Sequence, residues 1–192
     1  MSEKVIEIYC FLDDLLKQVR IGKEYDYKVS DAVVLTTAIV AARYFYGNHF
    51  YGNHCSAMAY MKDKQRLLML DKSSFNRRLH KLEHVLEGLF YDLSDLFKGL
   101  NLHSEYVMDS FRVAVCDNIR ISRSRVVKGE AFGGRIASKR RYFYGFRVQV
   151  IATIDRLPVQ YLIDPGAFVD VTALQTLDID LPENSCLYCD SG

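Results

Sequence analysis

Apolar residues recur at helical spacing through the first hundred positions. Val5, Ile8, Leu12, Leu15, Leu16 and Val19 follow one another at steps of mostly three or four residues, which places them along one side of a helix. Gly22 ends that pattern. Ser30 supplies an N-cap for a second helix carrying Val33, Val34, Ile39, Val40 and Phe45, and Gly47 and Gly52 break it. A third helix is expected from Ser56 to Arg66. The clearest pattern is Phe75, Leu79, Leu82, Leu86, Leu89, Leu93 and Leu96, in alternating steps of four and three. It predicts one apolar stripe over about six turns, capped by Ser73 or Ser74, with Gly88 a point of weakness where two helices could part. After Gly99 the texture changes. Tyr106 to Cys116, Tyr142 to Ile154 and Val159 to Ile163 are rich in β-branched and aromatic residues and read as strands, the last two joined by a turn around Asp155-Arg-Leu-Pro158. Asp170 can cap a short helix packing Leu174 and Leu177, and Ser185 to Cys189 reads as a final short strand. The pattern therefore predicts an α+β chain, with a helical domain over 1–100 and a second domain over 104–192.

Composition narrows the class. Of 192 residues, 49% are hydrophobic, too many for a disordered chain. The net charge of +1 hides an uneven distribution. Residues 112–147 hold ten Lys or Arg against two acids, an excess of +8, so the rest of the chain carries −7. A basic segment inside an acidic chain points to a polyanionic partner. Five irregularly spaced cysteines do not form a disulfide framework and fit a reducing compartment. The start of the chain has no apolar run of the kind that leads a protein to export. The most apolar stretch, Ala32 to Phe45, is interrupted by Arg43 and falls short of the roughly 20 residues a membrane span needs. The expected location is cytoplasmic, with no membrane partner.

Two acids stand out for chemistry. Asp109 lies inside the otherwise apolar strand Tyr106-Val-Met-Asp-Ser-Phe111, where an ionised carboxylate is costly unless paired or bound to a cation. Asp190 directly follows Cys186-Leu-Tyr-Cys189. Two acids at the ends of neighbouring strands can share divalent ions, and Mg²⁺ favours carboxylates while keeping sites open for water and phosphate. The plainer alternative is an edge residue and a solvated terminus. His49, His54 and Cys55 lack a fourth partner at a recognisable zinc spacing. Cys186 and Cys189 have redox spacing but no following helix to lower a thiol pKa. Gly133-Gly134 lacks the Lys-Ser/Thr of a phosphate loop.

Several separate stretches resemble bacterial insertion-sequence transposases of the DDE type. They are Lys72-Ser-Ser-Phe-Asn-Arg-Arg-Leu-His80, Val107-Met-Asp-Ser-Phe111, Cys116-Asp-Asn-Ile-Arg-Ile-Ser-Arg-Ser-Arg125, Ile136-Ala-Ser-Lys-Arg-Arg-Tyr-Phe-Tyr-Gly145, Asp164-Pro-Gly-Ala-Phe-Val-Asp170, Leu181-Pro-Glu183 and Leu187-Tyr-Cys-Asp190. The resemblance implies a helix-turn-helix-like N-terminal domain followed by a partial ribonuclease-H-like α/β domain. It makes Asp109 and Asp190 the first two acids of a catalytic, metal-binding triad holding two Mg²⁺ (or Mn²⁺) ions. The implied reaction is metal-dependent cleavage and strand transfer at transposon ends. The third acid, a Glu on a later helix, has no counterpart before Gly192, so the resemblance implies a C-terminally truncated and inactive chain, or a DNA-binding fragment that inhibits a complete enzyme. Two further departures are Cys189 before Asp190, where the family has Gly, and Asp155-Arg156 where it has an Asp-Gly turn.

Double-stranded DNA is the expected partner, as terminal inverted repeats and as target, with a homo-oligomer at the bacterial nucleoid. In the basic segment, Arg120, Arg123, Arg125, Lys139, Arg140 and Arg141 can neutralise phosphates; a solvated β-excursion is the alternative. On the fourth stripe Asn76, Arg77, Arg78 and Lys81 lie away from the apolar positions. Asn and Arg can read adenine and guanine edges, as on a recognition helix, and a solvated charged face is the alternative.

Overall fold

The structure is a computed structural model and describes residues 2–19, 28–45, 53–116, 118–124, 127–136, 141–168, 175 and 177–189. The chain divides into two compact units, Met1–Leu86 and Glu87–Gly192. The boundary expected from texture, between Gly99 and Ser104, falls just after the helix that begins in the first unit and runs into the second.

The first unit is helical. In α1 (Ser2–Val19) the predicted stripe is inward, with Val5, Leu12 and Leu16 buried. Lys4–Glu7 and Lys17–Asp13 pair on its exposed side. Helix α2 (Asp31–Tyr44) starts at Ser30, whose Oγ accepts from the Val33 amide at 3.4 Å. Its residues 31–37 are all buried, which is why an almost uninterrupted apolar run is helix here. Helix α3 spans Asn53–Asp63, some three residues earlier than its predicted limits. Val5, Val40, Ala41, Ala57 and Met61 form the core of this unit.

The long stripe is two helices, α4 (Lys72–Lys81) and α5 (Glu83–Leu100). The break falls at Leu82, and Gly88 lies within α5. Leu82 turns the chain through amide-to-carbonyl bonds of three residues' span, Leu82 to Leu79 and Val85 to Leu82, both 3.0 Å. The cap of α4 is Asp71, two residues before the nearer of the predicted serines. Its Oδ1 accepts from the Ser73 and Ser74 amides, each at 3.0 Å. These bonds, the Ser74 side chain foremost, hold its carboxyl below the ordinary range.

The second unit is built on a mixed sheet. β1 (Glu105–Cys116) pairs antiparallel with β3 (Arg141–Thr153), and β3 pairs antiparallel with β4 (Pro158–Pro165). β5 (Cys186–Cys189) lies parallel to the start of β1, on its other side. The basic excursion contributes 3-10 turns at Asn118–Arg123 and Glu130–Phe132, then β2 (Gly133–Ile136), which pairs with the first residues of β3. Tyr144 pairs with both Cys116 and Gly133, and Phe146 with both Val113 and Pro165. β2 and β4 therefore share one edge of β3 in tandem. The result is α+β, with a sheet whose order fits a partial ribonuclease-H-like domain. Of the short helix expected after Asp170, Gln175 is described and is helical, and Leu177 is described outside a helix; 169–174 and 176 lie outside the described residues.

Tyr106, Met108, Ile151 and Val159 form the core beneath the sheet, with Phe97, Leu177, Leu181 and Leu187 packed on it. The Ser94 hydroxyl of α5 donates to the Val159 carbonyl, and Phe90 meets Tyr161 edge-on at 4.8 Å. Around Phe143 the backbones crowd: a Cβ on Gly145 would strike the Val113 carbonyl, and one on Gly134 the Gly166 carbonyl. Glycine at 134 and 145 is thus required by close approach of neighbouring chain segments.

Candidate active site

Alternation along β1 sorts its side chains. Tyr106 and Met108 are buried, so Val107, Asp109 and Phe111 face the opposite side of the sheet. Asp109 is exposed there, and its Oδ1 accepts the amide of Ser110 at 2.7 Å. The carboxylate is thus steadied by its own backbone and open to solvent, which resolves how an acid persists inside an apolar strand.

β5 brings the second motif alongside. Its parallel register runs Glu105↔Cys186, Tyr106↔Leu187, Val107↔Tyr188 and Met108↔Cys189. In the sequence that last pair comes immediately before Asp109 and Asp190; Asp190 itself lies outside the described residues. β5 is placed by several bonds. The Cys186 amide donates to the Ser104 carbonyl at 2.9 Å. Upstream, the Gln160 side chain donates to the Asp178 carbonyl at 2.6 Å and accepts from the Asp180 amide at 3.2 Å. Lys98 reaches Asp180 at 2.7 Å. A parallel strand needs a long crossover, and these contacts fasten its end.

Two aromatic rings share the face of Asp109. Tyr188 is 50% exposed and Phe111 is 51% exposed. The Tyr188 hydroxyl donates to Glu105 Oε1 at 3.2 Å. Hydrogen bonding with the Cys186 thiol, then with Glu105, pushes the phenol up to about 12. Neither ring drew notice in the sequence, because their kinship with Asp109 depends on strand register. Cys186 and Cys189, three residues apart on a strand, alternate to opposite faces, and both are exposed.

The basic residues divide. Arg112, Arg123, Lys128 and Arg135 are exposed, whereas Arg147 is buried and faces Asp164 directly across β3 and β4. Burial raises the Asp164 carboxyl above its ordinary range, and Arg147 pulls it partly back. Arg125, Lys139 and Arg140 lie outside the described residues; for Arg120 and Arg141 the backbone alone is described, in the first 3-10 turn and at the start of β3. An open groove of about 530 Å³ in the excursion is lined by Ile121, Ser122, Ser124, Lys128, Glu130 and Tyr144, among others. On α4, Arg77 is exposed and bonds to Ser74, Lys81 is exposed and Asn76 half-buried. Arg78 is turned inward, its Nε bonded to the buried Asp31 of α2. The His54 ring packs edge-on against Phe75 at 5.4 Å.

An exposed carboxylate with oxygen donors suits a hard divalent cation. Among the described residues no group of three His, Cys, Asp or Glu converges on one point. No helix among them is long and apolar enough to cross a membrane.

The profile of a family described as transposase DDE domain matches residues 101–192, all five strands included. No curated protein and no solved structure matches the chain. A ribonuclease-H-like strand order, an acid exposed on the first strand and a second acid following the parallel strand in sequence agree with that match, and over residues 101–192 the chain is similar to the transposase DDE domain family.

Proposed function

We propose that this chain acts on double-stranded DNA as an insertion-sequence transposase, with Asp109 and Asp190 as two acids of a divalent-metal site. The β1–β5 register carries this reading: Met108 and Cys189 are paired, and in the sequence each is followed directly by an aspartate. Parallel neighbours lie about 4.8 Å apart, close enough for two carboxylates to share ions. Mg²⁺ or Mn²⁺ held there would supply Lewis-acid activation of phosphate and of the attacking oxygen. The protein's own contribution is positional. Asp109 is fixed by the Ser110 amide on an open face, and Gln160 and Lys98 fasten the segment leading to β5. Arg120, Arg123, Arg125, Lys139, Arg140 and Arg141 neutralise phosphates without reading sequence. Residues 1–100 are proposed as the end-recognition domain, with Asn76, Arg77 and Lys81 of α4 at the DNA and Arg78 steadying the helix from behind.

The test is nicking of supercoiled plasmid DNA by the purified chain in Mg²⁺ or Mn²⁺. Cleavage that EDTA and Asp109→Ala both remove supports the reading. Cleavage that survives Asp109→Ala sinks the assignment of that acid. Salt-sensitive binding without any cleavage leaves a DNA-binding role, with the chain competing against a complete transposase for its ends.

A further inference from the structure

We propose that Tyr188 is a stacking platform for a base of the DNA strand that passes Asp109. The proposal rests on the DNA-acting reading above and gives it a specific contact. Tyr188 stands opposite Val107 in the parallel register, so its ring shares the face that bears Asp109. It lies one strand spacing aside, about 4.8 Å, and about 7 Å short of Asp109 along β1. Half of the residue is open to solvent. A strand position with one wet face is ordinarily filled by a polar side chain; here an aromatic ring occupies the face that bears the acid, its hydroxyl directed to Glu105 on the other side of Val107 from Asp109. The ring is also tethered, since its hydroxyl is bonded to Glu105 at 3.2 Å. Little rotamer freedom is left to lose when a base lands on it. Stacking on an aromatic face accepts any base, so the contact would position DNA at the acid without choosing its sequence.

The chain contains no tryptophan, so Tyr188→Trp introduces a single indole at the proposed contact. A short mixed-sequence single-stranded DNA should quench its emission saturably, and an abasic strand of the same length should not. Tyr188→Ala should weaken binding of the normal strand roughly tenfold, while Tyr188→Phe, which keeps the ring, stays within about twofold. The Phe variant separates loss of stacking from loss of folding, and a thermal melt of the Ala variant checks the same point. Equal quenching by the abasic strand, or full affinity in a folded Tyr188→Ala chain, overturns the platform. Mn²⁺ binding, measured by water-proton relaxation in the parent and in Asp109→Asn, tests the acid site independently, so either idea can fail without the other.

Discussion

The β3–β4 hairpin closes through three residues, 154–156, with the Thr153 amide donating to the Leu157 carbonyl at 2.9 Å. Such loops end in a left-handed residue, usually glycine, and Arg156 occupies that place at φ 66°. An L side chain there costs on the order of 1–2 kcal/mol, against a smaller entropic penalty for glycine. Arg156→Gly should therefore raise the melting temperature by a few degrees, and a fall would show that the arginine side chain has a compensating contact. Asp164 offers a second test at this scale. Its folded-state carboxyl is raised above 3.8 by burial, so the folded protein holds its proton more tightly than the unfolded chain does. Stability from this group is then fully present at low pH and lost as pH climbs through the raised value. Denaturant melts of the parent and Asp164→Asn should diverge in the amide's favour as pH rises from about 3.8, then run parallel. A constant gap would mean that Arg147 fully offsets the cost of burying the charge.

At the scale of elements, α4 shows how a basic surface can be divided between folding and binding. Arg78, partly buried, and the buried Asp31 join α4 to α2, and removing the arginine leaves the buried carboxylate uncompensated, a loss of up to about 3–5 kcal/mol. Arg77, one residue away, is exposed. Arg78→Ala should lower the stability of the helical unit severely, whereas Arg77→Ala should leave the melt unchanged and weaken DNA binding. The opposite pattern would reverse their roles. The same helix marks a limit of sequence reading. Steps of three and four persist through Leu82 whether or not the chain turns there, so the apolar stripe could not reveal the break. Four of the five strands were legible to within a residue or two because aromatic and β-branched runs end where pairing ends; β2, short and glycine-led inside the basic excursion, was not. The crowding of Gly134, Gly145 and Gly166 was not legible, since it arises between segments far apart in the chain. Asp109 could be picked out as an acid among apolar neighbours. Tyr188 could not, because its place on the face of that acid exists once β5 has chosen its register.

For the molecule as a whole, the sheet face that carries Asp109 is apolar beyond the acid. Phe111, Val148 and Ile163 stand in register across β1, β3 and β4, with Phe111 and Ile163 each more than half exposed. Among the described residues no strand pairs with the outer edge of β5. An uncovered apolar row beside an open edge favours self-association. Ile163→Lys should shift sedimentation toward smaller species at a given concentration while leaving the far-ultraviolet spectrum unchanged. Unaltered association would place the contact elsewhere.

The parallel pairing of β5 with β1 also has a consequence in time. β1, β3 and β4 form a meander whose partners are close in sequence, so it can assemble while the ribosome is still adding residues. β5 pairs with a segment about eighty residues behind it and must wait both for its own synthesis and for a long loop to close. During translation the first aspartate is therefore in place well before the second can join it. A nascent chain would hold half of the proposed acid pair, and DNA near the site of synthesis would be spared until β5 docks.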